Sequence, residues 1–348
     1  WYRTRVSPHA AGRHTLVFEG LATIAEGWLD GEPILISDSM FAAQEVEIEL
    51  SGDAELVLCF RALEPHLSRK GPRAKWRTQL AKAQGLRLIR TTLLGHMPGW
   101  CPEIHAVGPW RPVRLISAQD AFAEILEIRS ELLDDGTGRL EVSMRLPDGQ
   151  QGVHLACAGQ MAEFLRVETG ALTAVIEIPD VEPWWPHTHG IPRLYDVVLI
   201  LGDELIHVTR TGFRRIEVDR GKDGTKFAIK VNGERVFCRG AVWTNADLLS
   251  LPGDRESYRP WLDLARNANM NMLRVGGTMV YEAKAFFELC DETGILVWHD
   301  FQFANFDYPV NDAEFAGKVS REAEAFLKAT QGSPSFAVAC GSSEILQQ

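Results

Sequence analysis

The chain has 348 residues and a mass of 38.8 kDa, which is too long for one ordinary domain and fits two or three. Its 45% hydrophobic and 24% charged residues are typical of a folded globular protein and exclude intrinsic disorder. The sequence has no apolar run of transmembrane length. A formal charge of −11 makes a nucleic-acid partner a poor expectation, so we expect a neutral or cationic partner.

Six scattered cysteines form no C-x-x-C pair, so neither a zinc knuckle nor a dithiol site is expected. Reduced cysteines favour a cytoplasmic location. The chain begins at Trp1 without an initiating Met or a signal-peptide pattern, so we expect that the natural N-terminus is missing from this sequence. A periplasmic or secreted location therefore stays open.

Residues 1–116 contain short runs in which apolar and polar side chains alternate, with turn signals between them. This pattern buries one face of a sheet and predicts a β-sandwich. The pair Asp30-Gly31 lies between two such runs and predicts a hairpin turn, because Gly adopts positive φ at little cost.

Residues 117–214 repeat this pattern with the strand spacing of an immunoglobulin-like sandwich. The pair Trp184-Trp185 in this part is expected to pack between domains rather than to bind a sugar.

Residues 215–348 alternate strands with helices. We predict strands at residues 235–242, 271–275, 295–298 and 335–340. The last helix would bury Phe315, Val319, Ala323 and Phe326, and a helix end is predicted at Gly294. Four parallel βα units in 134 residues are half of a (β/α)8 barrel, which needs about 250 residues. The chain is therefore expected to be a fragment that ends near the middle of a barrel.

In such a barrel the functional residues follow the strands. The residues at the predicted strand ends combine a carboxylate, an arginine, aromatic rings and hydrogen-bonding groups, which suits a sugar ligand. The candidates are Trp243, Arg274, His299, Asp300, Asn305, Ser343 and Glu344. Each could also have a structural role, as a strand cap or an ion-pair partner.

Longer motifs resemble glycoside hydrolase family 2. Residues 227–243 are similar to the entry to its catalytic barrel, and residues 267–275 to its second barrel strand. Residues 287–301 resemble the third strand of its β-mannosidase branch. Residues 108–113 and 183–186 resemble its two sandwiches, the first of which is a jelly-roll-like sugar-binding domain.

The resemblance implies a retaining exo-β-glycosidase that uses two glutamates and no metal or other cofactor. Residues 335–344 match the family's acid/base motif, so Glu344 is the acid/base candidate, and the nucleophile would lie beyond Gln348. The chain alone is therefore expected to be inactive. The resemblance also implies that Arg274 stabilises the charge of the nucleophile and that Trp100 extends from the first sandwich into the active site.

Two departures from the family pattern concern the sugar pocket. Ser343 replaces the Asn that usually precedes the acid/base, and residues 276–278 lack the usual Trp. The choice between β-mannosidase and β-galactosidase, β-glucuronidase or exo-β-glucosaminidase activity therefore stays open. A non-catalytic carbohydrate-binding protein with a truncated barrel is the alternative from another functional class.

Overall fold

The computed structural model describes residues 1–99, 101–117, 123–146, 152–167 and 170–345. The elements of its first part are β1 (Tyr2–Val6), β2 (Gly12–Phe18), β3 (Leu21–Ala22), β4 (Ala25–Leu29), β5 (Glu32–Ser37), β6 (Gln44–Leu50), β7 (Ala54–Phe60), α1 (Glu64–Leu67), a 3₁₀ turn (Gln84–Leu88), β8 (Gly108–Pro109) and β9 (Val113–Ser117). Two antiparallel sheets of order β1-β7-β4-β5 and β6-β2-β9 enclose an apolar core that includes Leu16, Phe18 and Leu58.

The predicted hairpin joins β4 to β5. Asp30 and Gly31 have φ angles of 49° and 86°. Positive φ at both central residues is what a tight two-residue turn between twisted strands requires. The hairpin and the β-sandwich predicted for this part are both confirmed.

A second pair of antiparallel sheets follows. Its strands are β10 (Glu124–Leu132), β11 (Gly138–Arg145), β12 (Val153–Cys157), β13 (Gln160–Glu163), β14 (Leu165–Arg166), β15 (Leu172–Ile178), β16 (Tyr195–Leu201) and β17 (Glu204–Thr211). The sheet orders are β10-β11-β15-β14 and β13-β12-β16-β17. Leu140, Val142, Leu155 and Val197 are buried between the two sheets, because their strands alternate inward apolar and outward polar residues.

The elements of the last part are β18 (Ile216–Asp219), β19 (Ala228–Val231), β20 (Glu234–Val236), β21 (Gly240–Trp243), α2 (Arg255–Asn267), β22 (Met272–Val275), α3 (Lys284–Thr293), β23 (Leu296–Asp300), α4 (Ala313–Thr330) and β24 (Phe336–Cys340). They form a small antiparallel sheet and a parallel sheet of order β21-β22-β23-β24. None of the helices in the described residues is both long and apolar enough to cross a membrane.

One predicted strand, residues 235–242, is wrong as a single element. The structure divides it into β20 and β21, which belong to different sheets. A Cβ atom on Gly240 would lie 1.7 Å from the carbonyl oxygen of Met272, so only glycine allows this close approach to β22. Gly240 inside the run was the local sign of this break, because an isolated Gly in a strand pattern indicates a bulge or a close backbone approach.

Local chemistry accounts for the starts of α2 and α4 and for the end of α3. Asp254 and Asp312 accept hydrogen bonds from the backbone N–H groups of Ser257 and Phe315, at 2.8 and 3.0 Å, and so cap α2 and α4. Gly294 ends α3 in the left-handed conformation with a φ of 71°, as predicted.

The two faces of the parallel sheet differ. Leu273, Val275 and Val297 pack in a core with residues of the three helices. The opposite face carries Arg274, Trp298 and Asp300 near the carboxyl ends of the strands. Val242 on β21 is 52% exposed, so part of the parallel sheet is open to solvent.

The second pair of sheets packs against the α/β part through Trp184, which is fully buried. Its indole N–H donates to the backbone oxygen of Asp291 at 2.9 Å, and its ring lies in a core with Leu296 and Val231. The predicted packing role of Trp184 is therefore confirmed. Arg214 donates to the backbone oxygens of Pro334 and Phe336, both at 3.0 Å.

Asp291, whose backbone oxygen accepts from Trp184, also makes the stability of the fold depend on pH. Its buried carboxylate accepts hydrogen bonds from Ser333 Oγ and Ser335 N, at 2.6 and 2.9 Å, but burial raises its pKa from 3.8 to about 6. The folded state then holds the proton more tightly than the unfolded state between about pH 4 and 6. The stabilisation is present below pH 4 and is lost as the pH rises through 6.

We therefore expect the unfolding free energy of the wild type to fall relative to that of Asp291→Asn, by up to about 3 kcal/mol, from pH 4 to 7. The Asn side chain keeps an acceptor for Ser335 N but does not ionise. Denaturant titrations of both proteins across this range check the prediction. A difference that stays constant with pH would contradict it.

Candidate active site

Arg274 is the centre of a polar cluster at the carboxyl ends of three adjacent parallel strands. Its Nη2 donates to Asp300 Oδ2 at 2.6 Å and to Ser343 Oγ at 3.1 Å, and its Nε lies 3.4 Å from Asp300 Oδ1. Arg274 is the penultimate residue of β22, Asp300 is the last residue of β23, and Ser343 follows β24. Three predicted residues that are far apart in sequence are thus brought together.

The carboxylate of Asp300 is not exposed to solvent, and both of its oxygens accept hydrogen bonds. Besides Arg274, it accepts a hydrogen bond from Trp298 Nε1 at 2.9 Å. Charge-assisted hydrogen bonds of this kind compensate the desolvation of a buried carboxylate. The hydrogen bond to Asp300, and less strongly the charge of Glu344, raise the pKa of Arg274. Arg274 therefore remains a cation with a fixed orientation.

Glu344 lies directly beyond Ser343 and is exposed. Its φ of 54° is unusual for a residue with a Cβ atom. Both backbone groups of the preceding residue, Ser343, are hydrogen-bonded. Its N–H donates to Phe303 O at 2.8 Å, and its carbonyl oxygen accepts from Asn305 N at 3.3 Å. The loop after β23 therefore fixes the backbone from which the Glu344 carboxylate projects.

Asn305 contributes to the site through its backbone. It is 2% exposed, and its φ of 61° is one that Asn tolerates. Its carbonyl oxygen accepts a hydrogen bond from Trp76 Nε1 at 3.1 Å. The sequence analysis did not select Trp76, because no pattern links it to a loop 229 residues later.

Two predicted site residues lie on the helix-facing side of the sheet instead. His299 is fully buried among Tyr281, Phe287 and Phe326, and its Nδ1 lies 2.7 Å from the backbone oxygen of Asp300. Burial lowers the pKa of His299 to about 3, so it is neutral. This placement favours a packing role for His299.

Trp243 has a similar position. It is 8% exposed, and its Nε1 donates to Glu282 Oε1 at 2.8 Å. Glu282 is buried and also accepts hydrogen bonds from Asn245 and Tyr258, at 2.8 and 2.5 Å, while burial raises its pKa. Trp243 is therefore part of a buried polar network and not of the Arg274 cluster. The predicted contribution of Trp100 concerns a residue outside the described part of the chain.

Trp298 belongs to the cluster but was not predicted. It shares a strand face with Asp300, two residues later, and the Arg274 guanidinium carbon lies 5.9 Å from its ring centre. The alternation of strand side chains is the signal that selects it. Among the described residues, no group of three or more His, Cys, Asp or Glu side chains is arranged to hold a metal ion.

The arrangement combines an oriented cation, a hydroxyl, an aromatic ring and an exposed carboxylate at one edge of a parallel sheet. The hydroxyl of Ser343 accepts from Arg274 and keeps its own proton to donate. Such groups can bind sugar hydroxyls, and the carboxyl group of Glu344 can transfer a proton.

The chain is similar to known glycosidases in sequence and in structure. Residues 1–111 match the glycosyl hydrolase 2 galactose-binding domain-like family. β-Mannosidase B from Aspergillus fumigatus is 32% identical over an alignment of 317 positions, which covers 84% of this chain and 37% of that protein. β-Mannosidase B from Thermothelomyces thermophilus is also 32% identical, over 96% of this chain and 41% of that protein.

The crystal structure of a β-D-mannosidase from Dictyoglomus thermophilum superposes with a TM-score of 0.82 at 28% identity. The match covers 98% of this chain and 45% of that one. The chain thus spans less than half the length of these relatives. The order of its parts, the motifs at its strand ends and these similarities lead to one conclusion: the chain is similar to glycoside hydrolase family 2 over nearly its whole length, and within that family it resembles the β-mannosidase branch.

Proposed function

We propose that the whole protein is a retaining, exo-acting β-glycoside hydrolase that removes terminal β-linked mannose. The cluster of Arg274, Asp300 and Ser343 beside Glu344 carries this proposal, because it places a carboxyl group beside groups that can bind sugar hydroxyls. Similarity to three β-mannosidases supports the choice of sugar.

In the proposed mechanism Glu344 is the acid/base. It first protonates the oxygen of the departing group while a second carboxylate attacks the anomeric carbon, and it then deprotonates the water that cleaves the glycosyl-enzyme. The second carboxylate is proposed to lie outside residues 1–348, in the length that the relatives have and this chain does not span. Retention requires it to be about 5–5.5 Å from Glu344.

Arg274 and Ser343 have supporting roles in this proposal. Asp300 holds the guanidinium at a fixed place, and Arg274 Nη1 makes no hydrogen bond to a described residue, so it is free to orient the attacking carboxylate. The Ser343 hydroxyl is proposed to bind a sugar hydroxyl next to the reacting carbon. Asn305 positions Ser343 through its backbone N–H.

The architecture is proposed to be an immunoglobulin-like second sandwich followed by the first half of a (β/α)8 barrel. Four parallel strands in chain order, with three helices packed on one face, support the half barrel. The opposite face is partly open at Val242, where further barrel strands would cover it. The polar cluster lies at the carboxyl ends of the strands, as in barrel enzymes.

A panel of 4-nitrophenyl β-glycosides tests the proposed substrate. We expect the whole protein to cleave the β-mannoside with a kcat/KM at least about 100-fold above that for the β-galactoside, β-glucuronide and β-glucosaminide, because pocket hydrogen bonds discriminate sugar epimers strongly. A preference for another sugar would overturn the assignment to mannose. Binding of these sugars without any cleavage would favour a carbohydrate-binding protein.

A further inference from the structure

The chain has a net charge of −11, but one of its segments is strongly basic. Residues 65–102 contain eight Lys and Arg residues and no Asp or Glu. The expectation of a neutral or cationic partner rested on the whole-chain charge and overlooked this segment. Its exposed cations include Arg69, Arg73, Lys75 and Arg77.

These four side chains line a surface cavity of about 600 Å³ together with Trp76, and no carboxylate is among the described residues that line it. We call it the basic cavity. None of its four exposed cations forms an ion pair with a described residue. Elsewhere on the surface, Arg3, Arg61 and Arg114 are paired with glutamates. An unpaired cluster of cations in an acidic chain indicates a site for an anionic ligand.

The wall of the basic cavity is held by buried contacts. Arg87 is buried and donates to the backbone oxygens of Asp307 and Pro72, at 2.5 and 2.9 Å. The Asp307 carboxylate accepts the backbone N–H of Lys75 at 2.7 Å. The exposed cations thus project from a backbone that is already fixed, which lowers the entropic cost of binding.

The basic cavity is connected to the candidate active site. Trp76 in its wall donates to the carbonyl oxygen of Asn305, and Asn305 N donates to the carbonyl oxygen of Ser343, the residue before Glu344. Two hydrogen bonds thus join the wall of the cavity to the backbone of Ser343. The half-buried ring of Trp76 offers an apolar surface for a sugar ring.

We propose that the basic cavity binds the anionic part of an oligosaccharide whose terminal β-linked sugar occupies the active site. Carboxylate, sulfate and phosphate substituents share the chemistry that arginine recognises. The substrate class would then be an acidic glycan rather than a neutral mannan. This inference extends the proposed hydrolase function, but the binding of the anionic part can be measured without turnover.

The test is calorimetric binding of tetragalacturonate, which has four carboxylates, to the whole protein at low salt. Mannotetraose is the neutral control. We expect tetragalacturonate to bind at least about tenfold more tightly, with an affinity that falls as KCl rises from 20 to 200 mM, because salt screens exposed charges. Equal binding of the two sugars would overturn the proposal.

Variants locate the binding. Arg73→Ser/Lys75→Ser removes two cavity charges and is expected to weaken tetragalacturonate binding by about tenfold. Lys222→Ser/Lys226→Ser removes two charges from the turn between β18 and β19, and we expect less than a twofold change. Equal effects of the two double variants would overturn the cavity as the site.

Capped tetraglutamate, which has four carboxylates and no ring, distinguishes an acidic glycan from any polyanion. We expect it to bind more weakly than tetragalacturonate at the same salt concentration, because it lacks the sugar ring faces that would contact Trp76. Binding of equal or greater strength would overturn the proposal. Tetragalacturonate binding in a protein that cleaves no glycoside would reject the hydrolase function and retain the anionic site. Glycoside cleavage without tetragalacturonate binding would retain the hydrolase function and reject the anionic site.

Discussion

Replacement of Glu344 by Gln is expected to lower kcat/KM of the whole protein by about 10²–10⁴-fold on β-mannosides with poor leaving groups. Such substrates need a proton on the departing oxygen, which Gln does not supply. On 2,4-dinitrophenyl β-mannoside, whose leaving group needs little acid assistance, the first step should change by less than about tenfold. The dependence of rate on leaving-group pKa therefore separates a lost acid from a misfolded site.

The matched control is Glu324→Gln, which changes an exposed glutamate on α4. It should leave the kinetics of both substrates unchanged. Equal losses for Glu344→Gln on good and poor leaving groups would contradict the role of general acid. Unchanged activity on poor leaving groups would remove Glu344 from the mechanism.

The second large effect concerns a buried ion pair between the first sandwich and α4. Arg90 and Glu322 have side chains with 2% and 0% exposure. Arg90 Nε donates to Glu322 Oε2 at 2.9 Å, and Nη2 lies 2.8 Å from the same oxygen but is poorly aligned for a hydrogen bond. Ser39 Oγ donates to Glu322 Oε1 at 2.7 Å. The guanidinium also lies 4.3 Å from the ring centre of Phe303.

Glu322→Gln leaves the charge of Arg90 buried without its counter-ion. We expect a loss of about 3–5 kcal/mol of stability, measured by urea unfolding, because the desolvated cation is no longer compensated. The double variant Arg90→Met/Glu322→Leu removes both charges and should recover much of this loss. Glu324→Gln on the same helix is again the control, within about 0.5 kcal/mol of wild type.

A loss below about 1 kcal/mol for Glu322→Gln would contradict this account of the interface. The pair also has a link to the active site. Arg90 Nη1 donates to the backbone oxygen of Gln302 at 2.9 Å, in the loop that holds Ser343. The first sandwich therefore helps to fix the site, although its own strands contribute no residue to the Arg274 cluster.

The sequence predicted the order of the elements well, because alternation and helical periodicity are local properties. Phe315 and Phe326 are buried on α4 as expected. Glu322 is buried on the same helix, and periodicity treats it as a polar, outward residue. Its burial depends on Arg90, 232 residues earlier in the chain, and no local pattern reports such a contact.

The candidate site was also predicted only in part from local sequence patterns. Strand ends identified Arg274, Asp300 and Ser343, which the structure brings together. They also selected Trp243 and His299, because the position along a strand was considered without the face. His299 and Asp300 are adjacent and therefore point to opposite faces of the sheet. Alternation from Arg274 and Asp300 would have selected Trp298 and rejected His299.

The bounds of the three predicted domains, and the catalytic roles of Glu344 and Arg274, stay predictions. Domain bounds are tested by measurements of cooperative unfolding, and catalytic roles are tested by enzyme kinetics. Glu344 is exposed and Arg274 Nη1 makes no hydrogen bond to a described residue, which is compatible with both groups acting on a substrate.

The central claim is hydrolysis by double displacement with Glu344 as acid/base, and the stereochemistry of the first product tests it most directly. The measurement is the ¹H NMR signal of the anomeric proton during the first minutes of hydrolysis of an aryl β-mannoside by the whole protein. Two successive displacements retain configuration, so β-mannose should appear first and α-mannose only later, by mutarotation. If α-mannose appears first, the reaction is a single displacement and the proposed mechanism is wrong.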